Sequence, residues 1–318
     1  MGVTAAPEPT LALDDPVLQE FAAEVGDAGP IAVAGGRTRW AVGGPLAADV
    51  RVVTAPTGIP QYRPEEMTVR VRTGTTVEEL HRTLAEAGQR TALPERGGTV
   101  GGALAVGESD LRALGRGLVR TSVLQVRYVS AEGRIVNSGG PTVKNVSGFD
   151  LPRLMVGSLG TLGLLAEVII RTNPIPAVSR WVEVSGCSPQ AVLDALLAPS
   201  TVLWDGSRLA VEVEGHGPDV DAQIAALDAL GSVGDIDGPP PLPDHRWSLT
   251  PIEARDLGSG AAHDTGDFVA ALGLGLVFAD RPQPPRGLAP GAAAVAERLK
   301  HNFDPTGRLN PGRVPGSS

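Results

Sequence analysis

Three glycine clusters, each set beside a run of apolar residues, constrain this chain more than any other feature. The first is Ile31-Ala32-Val33-Ala34-Gly35-Gly36-Arg37-Thr38, a strand-like run entering a Gly-Gly turn that carries a cation and a hydroxyl. The second is Gly97-Gly98-Thr99-Val100-Gly101-Gly102-Ala103, and the third extends over residues 144–163. Within the third, Gly148, Gly157, Gly160 and Gly163 alternate with the hydroxyls of Ser147, Ser158 and Thr161. Glycine lets the backbone take positive φ or approach a bound group closely. Successive exposed N–H groups with hydroxyls nearby suit an anionic, hydroxyl-rich ligand. The apolar run Leu164-Leu165-Ala166-Glu167-Val168-Ile169-Ile170 then gives the third cluster a rigid strand as its base. The same residues also read as a well-packed turn between a short helix and a strand. Neither a G-x-G-x-x-G turn nor a G-x-x-x-x-G-K-[ST] loop is present, so a Rossmann or P-loop nucleotide fold is not supported.

Periodicity predicts a first helix over 15–25, strands over 31–34, 50–53 and 68–73, and a helix from Val77 through 87. Thr76 and Glu79 have capping-box spacing and Gly88 is the stop. His81 belongs to that helix and is expected at its surface. A hairpin is predicted from 124–129 and 134–136, a helix over 151–156 and a strand over 164–171. Closely spaced prolines at 174 and 176 mark a boundary. Beyond it the pattern reads strand 180–184, helix 189–197, strand 208–214 and helix 220–230, a βαβα order fitting a small α+β lobe. Two proline-rich stretches, 238–243 and 281–285, read as linkers, and a last helix is expected over 292–303.

Composition excludes several classes. A net charge of −9 argues against nucleic-acid binding, which needs a basic patch. Cys187 is the only cysteine, so no disulfide forms within the chain and no cysteine-ligated cluster can be built from it. No run approaches the length of a membrane span. Residues 1–10 lack a basic region followed by an apolar core, so no secretion signal is expected. Lysine occurs only at Lys144 and Lys300, which draws attention to Lys144 inside the third cluster. His216, His245, His263 and His301 are widely scattered and show no metal-ligand spacing.

The order of the clusters resembles the FAD-binding family of the vanillyl-alcohol oxidase and p-cresol methylhydroxylase type, and most closely its glycolate-oxidase flavin-subunit (E subunit) branch. The resembling pieces are Gly35-Gly36, Thr99-Val100-Gly101-Gly102, Gly117-Leu118-Val119-Arg120, the 144–163 block, and Asp304-Pro305-Thr306-Gly307-Arg308-Leu309-Asn310-Pro311-Gly312-Arg313. The resemblance implies an α+β fold, a two-lobed p-cresol-methylhydroxylase-type FAD-binding domain over 1–174. A reduced α+β substrate or cap lobe would follow over 175–290, then a helix and tail over 291–318 that return to the flavin. It further implies FAD, held non-covalently. Gly35, Gly36, Arg37 and Thr38 would line the pyrophosphate, and Gly98, Thr99, Gly101 and Gly102 would let backbone pass close to the flavin. Gly160, Thr161 and Gly163 would wrap ribose and pyrophosphate, with Ile169 near the adenine. Lys144 and Gly148 would belong to the same site, and Asn310 would reach the ring from the tail.

Three departures accompany the resemblance. Thr121 stands where relatives often have an acidic residue; residues 107–115 are acidic-tinged and depart from the usual pattern; and the short-spaced histidine pair that complete relatives use with a metal is missing. The implied function is that of an FAD-carrying subunit in a complex oxidising a small 2-hydroxy acid. Its partners would be a larger flavin subunit with the fuller substrate lobe and an iron–sulfur subunit. A stand-alone small FAD oxidoreductase and an assembly subunit with weakened flavin binding are the alternatives. No catalytic or metal-ligating residue is assigned. The expected location is the cytoplasm, with peripheral attachment at the inner membrane through a partner left open.

Overall fold

The structure, a computed structural model, describes residues 15–141, 150–259, 263–284, 286–287 and 289–316. Its first half is built on a five-stranded antiparallel sheet in the order Gln61–Arg63, Thr68–Arg72, Leu164–Arg171, Val123–Val129, Ile135–Gly139. Alternation along Thr68–Arg72 decides its orientation. Val69 and Val71 are fully buried against the helices, while Arg70 and Arg72 face the other way. There Arg70 meets buried Glu167 at 2.8 Å and Arg72 meets Asp15 at 3.0 Å. The helix Val77–Ala85 lays Val77, Leu80 and Leu84 onto the sheet, and each such side chain contributes roughly 1.5–3 kcal/mol on burial. Thr76 caps it by accepting from the Glu79 N–H at 3.1 Å.

Beside this sheet lies a smaller layer. The helix Pro16–Val25, capped by Asp15, packs over the parallel pair Ile31–Val33 and Arg51–Val53. The C-terminal segment completes that pair, because Leu309 bridges Ile31 in parallel and the Asn310 N–H donates to the Ile31 carbonyl at 2.8 Å. Arg308 fastens the return by donating to the carbonyls of Val25, Gly26, Ala28, Gly29 and Ala131.

The second half contains all four elements of the βαβα reading and adds five strands to them. It is one seven-stranded antiparallel sheet in the order Ser232–Ile236, Val178–Ser185, Leu209–Gly215, Thr201–Trp204, Phe268–Ala271, Leu276–Ala279, His245–Ser248. The helices Pro189–Ala195 and Gly217–Asp228 pack on one face. Five of these strands were not anticipated, since all five are only four or five residues long and carry no clean alternation. The proline-rich stretch 238–243 joins two strands of this one sheet, whereas the stretch from 281 leads out of its strand Leu276–Ala279 toward the last helix. The expected boundary also carries structure: Asn173–Pro174 pairs antiparallel with Gln89–Arg90, which ties it to the first half.

Candidate functional site: a glycine-walled cleft

The strand Ile31–Val33 ends in the exposed turn Gly35-Gly36-Arg37-Thr38, which forms one wall of a cleft. The opposite wall starts at Thr99, whose side chain caps the helix Val100–Val106 by accepting from the Gly102 N–H at 3.2 Å. Gly101 and Gly102 lie in its first turn and line the cleft. The two walls are closely fitted. A Cβ at Gly35 would collide with the Thr99 side chain, and one at Gly36 would come within 3.2 Å of the Gly98 Cα. The far end is closed by Leu159, Gly160 and Asn310, the last donating its side-chain amide to the Leu159 carbonyl at 2.8 Å. Gly160 has φ +68°, and a Cβ there would strike the Asn310 amide.

Nine of the expected site residues therefore share one cleft: Gly35, Gly36, Arg37, Thr38, Thr99, Gly101, Gly102, Gly160 and Asn310. Gly98 is not part of the lining; a Cβ there would strike the Thr38 and Arg39 side chains. Thr161 is buried with its hydroxyl donating to the Ser158 carbonyl at 2.7 Å. Gly163 faces the Tyr128 ring, where a Cβ would not fit, so its place is in packing rather than along the cleft wall. Ile169 is 3% exposed within the five-stranded sheet, paired with Arg70 and Gln125, and does not line the cleft. Lys144 and Gly148 lie outside the described residues.

Sequence reasoning missed the cleft's middle. Val33, Val42, Ala55, Ala105, Val106, Leu164 and Leu165 make it apolar, and Arg39, Trp40, Thr73 and Arg313 add polar and aromatic groups. Trp40 lies between two guanidinium groups, Arg37 at 5.1 Å and Arg313 at 5.0 Å from its ring centroid. Arg313 is fixed by donation to the Val42 and Gly44 carbonyls, and burial pulls its pKa below the ordinary arginine value. The one available signal was the spacing Arg37-Thr38-Arg39-Trp40, two cations around a tryptophan immediately after the Gly-Gly turn.

The arrangement suits a long ligand with distinct ends. The glycines let the two walls approach closely and leave the backbone of Gly35 and Gly36 exposed along the cleft, and the apolar lining suits a flat aromatic system. His81, expected at the surface, is instead half-buried and lines a second, separate cleft, with Nε2 2.7 Å from the Thr91 hydroxyl. Burial lowers its pKa. Among the described residues there is no group of three or more His, Cys, Asp or Glu side chains that would hold a metal ion. No helix among them is long and apolar enough to cross a membrane.

Comparison with known proteins agrees with this geometry. Residues 18–139 match the family described as FAD binding domain. The chain is 34% identical over 167 residues to a protein of Escherichia coli (strain K12) named glycolate oxidase subunit GlcE, covering 51% of this chain and 48% of that one. It is 40% identical over 82 residues to glycolate oxidase subunit GlcD of Bacillus subtilis (strain 168), covering 26% of this chain and 17% of the relative. The match thus spans about half of the first relative and a small part of the second. A solved structure of alkyldihydroxyacetonephosphate synthase superposes with a TM-score of 0.64 at 14% identity, covering 93% of this chain and 73% of that one. That likeness establishes the fold as the two-lobed p-cresol-methylhydroxylase-type α+β architecture followed by an α+β C-terminal lobe.

Proposed function

We propose that this chain, which carries an FAD binding domain over residues 18–139, is the flavin-carrying subunit of a complex that oxidises a small 2-hydroxy acid. The cofactor is FAD. Bound here, it supplies hydride acceptance and stepwise electron release. The observation that carries the reading is one cleft in which three distant glycine segments and the C-terminal Asn310 meet. Gly35, Gly36, Arg37 and Thr38 hold the diphosphate, and Arg37 offsets its charge from a stacked position on Trp40. Thr99, Gly101 and Gly102 admit the flavin edge, and Gly160 with Asn310 closes the end of the cleft. Thr161, Gly163 and Ile169 support that end by packing. FAD is held without a covalent bond.

The domain division follows the same reading: 1–174 binds FAD, 175–290 is a reduced cap, and 291–318 returns to the cofactor. None of the described cleft residues is His, Asp, Glu, Cys or Lys, so this lining offers no general base for the substrate hydroxyl. The chain therefore positions flavin, while a larger flavin subunit with a fuller substrate lobe positions the acid and its proton acceptor. With one cysteine the chain cannot ligate an iron–sulfur cluster alone, so an iron–sulfur subunit takes the electrons. The location that goes with this reading is the cytoplasm, with peripheral attachment at the inner membrane through a partner left open.

Single-turnover flavin reduction tests the reading. With glycolate or D-lactate, the chain's own FAD should bleach at complex rates only with the partner flavin subunit present. Bleaching at that rate by the isolated chain would place the chemistry in this subunit instead.

A further inference from the structure

The acidic segment after the helix Val100–Val106 has a second consequence. Glu108 is 5% exposed and sits at the junction of the two halves of the molecule. Three guanidinium groups converge on its carboxylate: Arg39 through Nε, Arg96 at 2.9 Å, and Arg246 from the strand His245–Ser248 of the C-terminal sheet. One carboxylate cannot satisfy three arginines. The group carries an excess of two positive charges, and Asp110, the next carboxylate near Arg246, reduces it by one.

The excess is visible in the hydrogen bonding. Arg39 is 5% exposed at its side chain, gives Nη1 to the Thr38 hydroxyl and the Gly97 carbonyl, and leaves Nη2 buried with no partner. A buried donor left unmade is costly, and a guanidinium fork matches a carboxylate's two oxygens. Arg39 also lines the flavin cleft. Arg246 spends only a long 3.3 Å contact from Nη2 on the Ser109 carbonyl. Burial lowers its pKa and Glu108 raises it, while neighbouring Arg96 and Arg39 lower it further, as expected where like charges are crowded.

We propose that Arg39, Arg96 and Arg246 form a binding site for a small carboxylate anion, and that Glu108 occupies it as an internal stand-in when no ligand is present. The inference rests on the 2-hydroxy-acid reading and deepens it. It gives this subunit a carboxylate site between the flavin cleft and the C-terminal sheet, with no role in proton removal. Ligand entry displaces Glu108 from Arg39 and Arg246, so binding loosens the contact between the two halves.

Oxalate is the probe, because it presents carboxylates and cannot be oxidised by hydride loss. Calorimetric titration of the full chain should show weak oxalate binding. Glu108→Gln keeps the shape and removes the competing charge, so oxalate should bind at least about tenfold more tightly. Adding Arg246→Gln should abolish that gain. ADP, which carries the cofactor's diphosphate, should show no comparable gain. An unchanged oxalate affinity in Glu108→Gln overturns the proposal, as does a gain that survives Arg246→Gln or one seen with ADP instead. Should Glu108→Gln fail to fold, Arg246→Gln alone decides, since loss of oxalate binding with flavin content intact is expected and retained binding contradicts it. Flavin absorbance recorded on the same samples separates this outcome from failure of the FAD reading itself.

Discussion

Gly160 is the position where one added atom should matter most. Its φ of +68° belongs to the left-handed region, and its missing side chain leaves room for the Asn310 amide. Gly160→Val combines backbone strain of about 1–3 kcal/mol with loss of the Asn310–Leu159 bond. Flavin content should fall at least about tenfold, read as the flavin-to-protein absorbance ratio. His301→Ala, on the exposed side of the last helix, should keep its flavin. Full retention by Gly160→Val with loss in His301→Ala would reverse the site assignment. Residues of this kind were legible because glycine beside a strand states a backbone demand directly. Arg39 and Arg313 were not, because an arginine's burial depends on which carbonyls and carboxylates the fold brings to it.

Among elements, legibility followed length and capping. The helix Val77–Ala85 and the strand Leu164–Arg171 could be read from period and cap alone. The strands Thr201–Trp204 and His245–Ser248 could not, because their partners are remote and their runs short. The C-terminal return depends on one side chain. Arg308→Ala removes donors to five backbone carbonyls and frees the Leu309–Ile31 bridge. A loss of at least about 3 kcal/mol is expected, since bonds to charged groups contribute about 1.5–3 kcal/mol each. Denaturant unfolding measures it, and flavin should be lost with it, because Asn310 follows Arg308 into the cleft. Thr76→Ala should cost about 1 kcal/mol and leave flavin content unchanged, which separates stability from site geometry.

At the scale of the whole molecule, the two halves are joined through buried ion pairs. Arg90 grips Glu214 with bonds of 2.9 and 2.7 Å, Arg116 reaches the same carboxylate at 3.7 Å, and Arg112 meets Glu212 at 2.7 Å. Burial pushes the Glu214 carboxyl up, but Arg90, Ser200 and Arg116 outweigh it and hold its pKa below the ordinary 4.5. Glu95 is lowered in the same way, its burial outweighed chiefly by Arg116. A carboxyl lowered on folding stabilises the protein above its unfolded pKa, and that stabilisation is lost as pH falls through the folded value. Thermal midpoints should therefore drop as pH is lowered below 4.5, and Arg90→Gln should flatten the dependence. An unchanged slope in that variant would remove Glu214 from the account.

The central claim is that this fold closes around FAD without a covalent bond. Acid precipitation of the purified chain, followed by chromatography of the supernatant, tests it most directly. The account predicts a yellow protein whose flavin passes entirely into the supernatant as FAD. A colourless chain that takes up no FAD, FMN in the supernatant, or flavin retained in the pellet would contradict it.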